Sequence, residues 1–356
     1  MPVCRIAYFI SPHGFGHATR SAAILGALFK QEPDAQVVIF SRLPSFIFES
    51  LPQNQVSFEE AACDIGLVQR SPTEIDEEGT KQALAQFWPP NEDVWRDCLK
   101  RLASGGFSGV VCDIAPLGIW LAEKANLPSI LVENFTWDWI YRGLKPPIPD
   151  LRDLATRFEK LNASVGLRIQ TEPWCFTCHH AAKVGPIARP LKETREKLRD
   201  QVLGGKTGIL VMLTMGGLMQ RFESFQTLKQ VRDVTFLLPG TEKRDGNVFG
   251  LGFGRDFYHP DWVAASDMVI GKLGYSTATE ALQAGTPFGY IDRPEFPESA
   301  ILAEYLSNRI PTFQIDSLAP QSWNNALQNA AILPRVPPAV LSGAEEAAGK
   351  ILNFLT

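Results

Sequence analysis

The sequence predicts an α/β chain built as two Rossmann-like halves. Three observations predict it: apolar runs without polar alternation, Gly-rich turns leading from such runs into helical patterns, and a length of 356 residues. At roughly 150 residues per domain, that length suggests two domains. Continuous apolar strands mark a parallel sheet covered on both faces, and the helical patterns supply the crossovers such a sheet requires.

The first half opens with the apolar run Val3 to Ser11, then a Gly-rich turn, then Ala18 to Lys30, which sets Ala22, Leu25, Leu28 and Phe29 on one helical face. Ala35 to Ser41 is the next strand and completes a βαβ unit. Residues 71 to 97 are acidic and carry Trp, predicting a loop plus helix over the sheet edge. Gly109 to Cys112 and Ser129 to Val132 read as further strands, with Leu117 to Ala125 as the helix between them. The stretch Gly185-Pro186-Ile187-Ala188-Arg189-Pro190 cannot continue a helix and suits a linker. It divides the chain into an N-terminal domain, 1–190, and a C-terminal domain, 191–356. In the second half Lys192 to Val202 is helical, Gly208 to Thr214 is a strand and Gly216-Gly217 a turn. Thr235 to Leu238, Met268 to Ile270 and Gly289 to Ile291 follow as strands. The last helix, about Ser342 to Phe354, could pack on either domain.

The 34 Lys and Arg against 39 Asp and Glu give a net charge of -5, so no global attraction to nucleic acid or anionic lipid is built in, and no nucleic-acid partner is expected. No stretch approaches the roughly 20 apolar residues of a membrane-spanning helix. The first residues lack the basic start of a leader, which predicts a cytoplasmic protein. A peripheral membrane contact stays open through Leu43 to Leu51, with Phe46, Ile47 and Phe48. The 6 cysteines have no framework spacing and read as reduced thiols.

Two motifs carry candidate chemistry. In Ser11-Pro12-His13-Gly14-Phe15-Gly16-His17-Ala18-Thr19-Arg20, Gly14 and Gly16 let the backbone turn tightly against a ligand at a helix N-terminus. A dinucleotide fingerprint wants Gly where Thr19 stands and an acid where Ser41-Arg42 stand, which disfavours NAD; Arg42 keeps an NADP reading open. His17 lies outside that fingerprint, at the sheet edge where ligands bind, and either serves a ligand or caps the loop. In Gly271-Lys272-Leu273-Gly274-Tyr275-Ser276-Thr277-Ala278-Thr279-Glu280, a Gly turn opens a helix whose N–H groups near Ser276 and Thr277 can hold a phosphate beside Lys272. Glu280 is placed to accept from a ribose. The same residues also read as a capping box, Thr277 to Glu280, needing no ligand.

Other features carry less. Cys175-Phe176-Thr177-Cys178-His179 matches a haem-attachment string, but nothing elsewhere in the sequence pairs with it as a metal ligand set. Gly205-Lys206-Thr207 ends like a P-loop, yet Asp200 stands where the opening Gly is required. The aromatics of Phe135-Thr136-Trp137-Asp138-Trp139-Ile140-Tyr141 could stack on sugar faces or pack in a core.

Together, two Rossmann-like halves, a Gly-His loop on the first and a Gly-turn helix with Glu280 on the second resemble the GT-B class of glycosyltransferases. The second motif is similar to the donor-binding signature of enzymes that use uridine diphosphate sugars, including plant glucosyltransferases and the N-acetylglucosaminyltransferase that makes lipid II. More closely, the chain resembles the glycosyltransferase-like N-terminal region of plant L-arabinokinases and its stand-alone bacterial relatives. The strings that carry this are Gly14-Phe15-Gly16-His17-Ala18-Thr19-Arg20, Asp64-Ile65-Gly66-Leu67-Val68-Gln69, Asn134 to Tyr141, and Ile270 to Tyr275 with Glu280. They lie within about residues 5 to 305. The residues after 305 are too few for a second catalytic domain, so no kinase activity is expected.

The resemblance implies two domains facing across a cleft, with the acceptor on the first and the donor on the second. It implies that His17 is the general base and Asp113, in Cys112-Asp113-Ile114, its partner. Gly16, Gly216, Gly217, Lys272, Gly274, Ser276 and Thr277 fall at donor-binding positions, and Glu280 at the ribose-binding acid. Asp64, Gln69, Asn134, Trp137 and Asp138 are the acceptor-side candidates. No Asp-x-Asp metal signature is present, and neither a metal nor a cofactor beyond the donor is expected. The plant signature has His at Lys272 and ends in Asp-Gln where this chain reads Arg293-Pro294-Glu295-Phe296-Pro297-Glu298-Ser299, so Glu295 and Glu298 are the candidates for donor sugar hydroxyls. The function expected is an inverting, metal-independent transfer of a sugar from a nucleotide diphosphate, uridine-linked, to an unidentified acceptor hydroxyl. A nucleotide-sugar epimerase or hydrolase, and a non-catalytic sugar-nucleotide-binding protein, are the alternatives.

Overall fold

In a computed structural model of the chain, the first apolar run forms the strand Arg5–Ile10, and its side chains go alternately to two cores. Ala7 and Phe9 pack with Leu117, Leu121 and Leu131, whereas Ile6, Tyr8 and Ile10 pack with Leu25, Leu28 and Ile39. A strand buried on both faces has no polar side to alternate with, which is why its sequence is a continuous apolar run. The structure describes residues 4–71, 74–215, 228–229, 231–254, 257–315 and 333–356.

Two bodies result. The first comprises Met1–Ile187, Glu295–Glu298 and Ser342–Thr356; the second comprises Ala188–Pro294 and Ser299–Leu341. The division falls in the Pro-rich stretch. The closing helix Gly343–Leu355 belongs to the first body: its Ala344, Ala347, Ala348 and Ile351 share a core with Ala22, Ala23 and Leu25 of the helix Phe15–Gln31. Small side chains on both helices permit that close approach.

The first body holds a seven-stranded sheet in the spatial order Val56–Glu60, Gln36–Ser41, Arg5–Ile10, Gly109–Asp113, Ser129–Glu133, Leu167–Thr171, Ala182–Val184. Every pairing in it is parallel. The strand order reverses between Arg5–Ile10 and Gly109–Asp113, which opens a crevice at their carboxyl ends. Residues 71 to 97 give two helices, Glu77–Phe87 and the start of Glu92–Ser104, capped by Asp76 and Asn91.

The second body repeats the plan. Its sheet runs Arg244–Asp245, Val248–Leu251, Val234–Pro239, Ile209–Thr214, Met268–Lys272, Phe288–Ile291, Thr312–Ile315, parallel except for the first pair. Here the order reverses between Ile209–Thr214 and Met268–Lys272. Each body therefore has one switch point, and each sequence motif lies at one.

The segment Leu43 to Leu51 forms the turn of helix Ser45–Phe48. Leu43, Ile47, Phe48 and Leu51 are buried and Phe46 packs against the same core, so this segment spends its apolar side chains inside and offers no membrane-facing patch. Among the described residues, no helix is long and apolar enough to cross a membrane.

Candidate functional site

At the first switch point, Gly14 turns the chain with φ at 88° and is the N-cap of the helix Phe15–Gln31. That conformation suits a residue without a side chain. His17 and Arg20 follow on one face of the helix, three residues apart, and both reach the last residue of the strand Gly109–Asp113. His17 Nδ1 lies 2.8 Å from Asp113 Oδ1. Arg20 donates from Nη2 to Oδ1 at 2.6 Å and from Nε to Oδ2 at 2.9 Å, and Ser21 Oγ donates to Oδ2 at 3.1 Å. Burial opposes ionisation of Asp113, but the Arg20 charge and the hydrogen bonds from His17 and Arg20 prevail and hold its carboxyl down at about 2.

An ionised Asp113 only accepts, so His17 Nδ1 carries the proton and donates it. The 3.3 Å approach of Arg20 Nη2 to the same Nδ1 is then donor against donor and adds no bond. The tautomer leaves the lone pair on Nε2. Asp113 thus sets the orientation of the imidazole from behind.

The polar network continues inward. Arg20 Nη1 donates to Asn134 Oδ1 at 2.7 Å, and Asn134 Nδ2 donates to Glu298 Oε1 at 2.8 Å. Asn134 and Glu298 are both buried. Glu298 thus belongs to the first body and joins the support of Asp113. Glu295 is half-buried in the same segment. The aromatic string resolves as packing: Phe135, Trp137 and Tyr141 are buried, with Trp137 2% exposed. Trp137 Nε1 donates to Asp64 Oδ2 at 2.8 Å, and burial pushes the Asp64 carboxyl up to about 6, against the Ser11 hydroxyl, the Trp137 N–H and nearby His17. Asp138 is taken up by Asn162 at 2.8 Å and Arg142 at 3.4 Å, so its carboxylate ties two helices together. Gln69 stands on the short strand Gln69–Ser71, where its Nε2 is buried and has no hydrogen-bond partner among the described residues.

At the second switch point, Lys272 ends the strand Met268–Lys272 and Gly274 is the N-cap of the helix Tyr275–Ala284. Thr277 therefore sits inside the first turn, not at its cap, and the capping-box reading fails: a residue with helical backbone already past the cap cannot serve as one. Ser276 and Thr277 lie on the N-terminal turn, where the backbone dipoles favour an anion. Glu280 is buried; His259 Nδ1 stands 2.5 Å from its Oε2 and Arg189 Nη2 donates to its Oε1 at 3.2 Å. Burial is outweighed by His259 and Arg189, and the carboxyl is lowered. His259 Nε2 lies 3.2 Å from Thr214 Oγ1, at the end of the strand Ile209–Thr214. Gly16 lies in the first turn of its own helix in the first body. Gly216 and Gly217 lie outside the described residues.

Three residues of these clusters escaped the sequence reading. Arg20 had a signal, its spacing from His17 on a helix that starts at Phe15. His259 and Arg189 are distant from Glu280 in sequence and show no local pattern. All six cysteines are free, and among the described residues no group of three His, Cys, Asp or Glu side chains is disposed to hold a metal ion, Cys175 to His179 included.

No profile of a known protein family matches the chain. It is 25% identical over 350 residues to an L-arabinokinase of Arabidopsis thaliana, covering 96% of this chain and 33% of that protein, so the chain spans about a third of the relative it matches. Among solved structures, UGT71G1 of Medicago truncatula complexed with UDP-glucose is similar with a TM-score of 0.63 at 11% identity, over 99% of this chain and 98% of that one. The glycosyltransferase SnogD from Streptomyces nogalater is similar with a TM-score of 0.56 at 14% identity, over 99% of this chain and 100% of that one. The chain has the GT-B glycosyltransferase fold.

Proposed function

We propose that the chain is a glycosyltransferase moving a sugar from a nucleotide diphosphate donor, uridine-linked, to a hydroxyl of an acceptor, with inversion and without a metal. The observation that carries this reading is the 2.8 Å contact of His17 Nδ1 with Asp113 Oδ1 at the switch point of the first sheet. His17 Nε2 takes the proton of the acceptor hydroxyl as that oxygen bonds the anomeric carbon. The bond from that carbon to the donor diphosphate breaks, and the diphosphate leaves with the electron pair. Asp113 stabilises the imidazolium as it forms.

The leaving diphosphate gains charge in the transition state, so Lys272 and the first turn of Tyr275–Ala284 act most strongly there. The GT-B neighbour solved with UDP-glucose supports a uridine-linked donor. The test is a thermal-shift screen of uridine, guanosine and thymidine diphosphates and NADP, followed by product analysis with the matching sugar donors. Uridine diphosphate is expected to stabilise the chain, by about 2.7 kcal/mol at a hundred times its Kd. Silence with every nucleoside diphosphate overturns the reading, and so does undiminished transfer by folded His17→Ala.

A further inference from the structure

The segment Glu295–Glu298 follows the strand Phe288–Ile291 of the second body along the chain, yet it belongs to the first body. Two lines of contact lead from it to His17. One is polar: Glu298 Oε1 accepts from Asn134 Nδ2 at 2.8 Å, Asn134 Oδ1 accepts from Arg20 Nη1 at 2.7 Å, and Arg20 holds the Asp113 carboxylate that His17 Nδ1 faces. The other is aromatic. Phe296, 4% exposed, lies parallel to the His13 ring at 6.3 Å and edge-on to Phe135 at 6.4 Å, and Phe135 stands edge-on to His17 at 5.9 Å. Between these two residues, Pro297 is seated against the end of the helix Trp137–Gly143, where a Cβ on Gly143 would come within 2.9 Å of its Cγ.

Asn134 is the joint of the polar line. It stands one residue past the strand Ser129–Glu133, and its backbone carbonyl accepts the Cys175 N–H at 2.7 Å, which fixes its main chain. A side-chain amide has one accepting end and one donating end, a guanidinium only donates, and an ionised carboxylate only accepts. One orientation of the amide therefore serves both neighbours. Without the Glu298 oxygen, the Asn134 N–H₂ is left unpaired in the interior, where an unmade hydrogen bond is costly, and the amide is drawn away from Arg20. The place of Glu298 in the sequence suggests a donor-sugar hydroxyl as its partner, but the residue is 6% exposed and its Oε1 is committed to Asn134.

We propose that the segment Glu295–Glu298 is a positioning element for His17, with Glu298 as its positioning residue: by holding the Asn134 amide it holds Arg20, and through Arg20 the Asp113 oxygen that accepts from Nδ1. The functional weight of this rests on the reading of His17 as the base. It assigns Glu298 to the proton-accepting half of the reaction and removes it from the donor-sugar contacts.

The test is proton NMR of the imidazole Nδ1–H in the full chain, in wild type, Glu298→Leu and Glu298→Gln, with His17→Ala to assign the signal. In Glu298→Leu, exchange of that proton with water is expected to quicken on the order of 10-fold, the worth of one hydrogen bond to a charged group. Glu298→Gln keeps an acceptor oxygen and should recover most of the loss; the thermal midpoint of each variant checks its fold. Affinity for UDP-glucose, by isothermal titration, should be the same in wild type and both Glu298 variants. If Glu298→Leu does not fold, Asn134→Asp sets carboxylate against carboxylate at the same joint and should quicken exchange likewise, and adding Glu298→Gln to it should bring the wild-type rate back. Unchanged exchange in whichever of these variants folds, no recovery with Glu298→Gln, or a loss of UDP-glucose affinity that tracks the exchange rate each overturn the proposal. Transfer surviving in His17→Ala sinks the base assignment instead, and no binding of UDP-glucose by wild type sinks the donor reading. The proton measurement needs no substrate, so those failures are distinct from failure of the positioning role.

Discussion

Arg20 grips Asp113 through both carboxylate oxygens, at 2.6 Å from Nη2 and 2.9 Å from Nε, and so neutralises the carboxylate that orients His17. The consequence is a division of labour. The guanidinium keeps Asp113 ionised in a fully buried position, and the ionised carboxylate fixes which nitrogen of His17 carries the proton. Held also by Ser21, the carboxylate presents Oδ1 to the imidazole in one fixed direction.

That pairing predicts a large stability effect. Arg20 is 1% exposed, and Arg20→Met strands the Asp113 carboxylate without its countercharge. Removing one partner of a buried pair costs on the order of 3–5 kcal/mol. Urea denaturation should show such a loss in the first body; a change under about 1 kcal/mol would mean that the pair is not the support described.

Two of the buried carboxyls of this body, Asp113 and Asp64, predict opposite pH slopes. Asp113, held at about 2 against an ordinary 3.8, contributes stability above pH 3.8 that is lost as the pH falls through 2. Asp64, raised from 3.8 to about 6, contributes stability below 3.8 that is lost as the pH rises through 6, on the order of 3 kcal/mol. Asp64→Asn should therefore be less sensitive than wild type between pH 4 and 6.5, and should gain relative stability at neutral pH. Urea midpoints across that range check it, and parallel curves for the two proteins contradict it.

The central strands and both Gly-turn motifs were legible in the sequence because two-sided burial leaves an uninterrupted apolar run and a tight turn leaves glycine. The outer strands were not. Val56–Glu60 and Ala182–Val184 lie at the edges of the first sheet, and Leu167–Thr171 mixes polar and apolar residues because its Arg168 serves Glu133 at 2.9 Å. The His17 to Asp113 contact was reachable only through resemblance, since 96 positions separate them. Glu298 was assigned to the donor side by its place in the chain, whereas the fold sets its carboxylate on Asn134. The partners of Glu280 were invisible for the same reason: tertiary contacts leave no spacing.

The base assignment predicts a kinetic signature without a stability one. His17→Ala removes the proton acceptor but leaves Asp113 bonded by Arg20 and Ser21, so the variant should fold and keep its uridine diphosphate thermal shift. Turnover should fall on the order of 10²- to 10⁴-fold, the usual worth of a positioned general base. Loss of the nucleotide shift together with turnover would point instead to damage of the fold.

Lys272 predicts where on the donor the second body spends its charge. It ends the strand Met268–Lys272, two residues before the cap of the helix Tyr275–Ala284, so its ammonium and the first-turn N–H groups can converge on one anion. On the proposed reading, that point charge would meet the diphosphate and not the base or the ribose. Lys272→Ala should weaken uridine diphosphate on the order of 10-fold, as expected for one charge-assisted contact, while leaving the affinity of uridine itself unaltered. Because the removed contact is ionic, the gap between wild type and variant should narrow as salt rises. Isothermal titration with both ligands at two ionic strengths measures this directly. An equal loss for uridine and its diphosphate would show that Lys272 supports the fold of the loop and does not contact the phosphates.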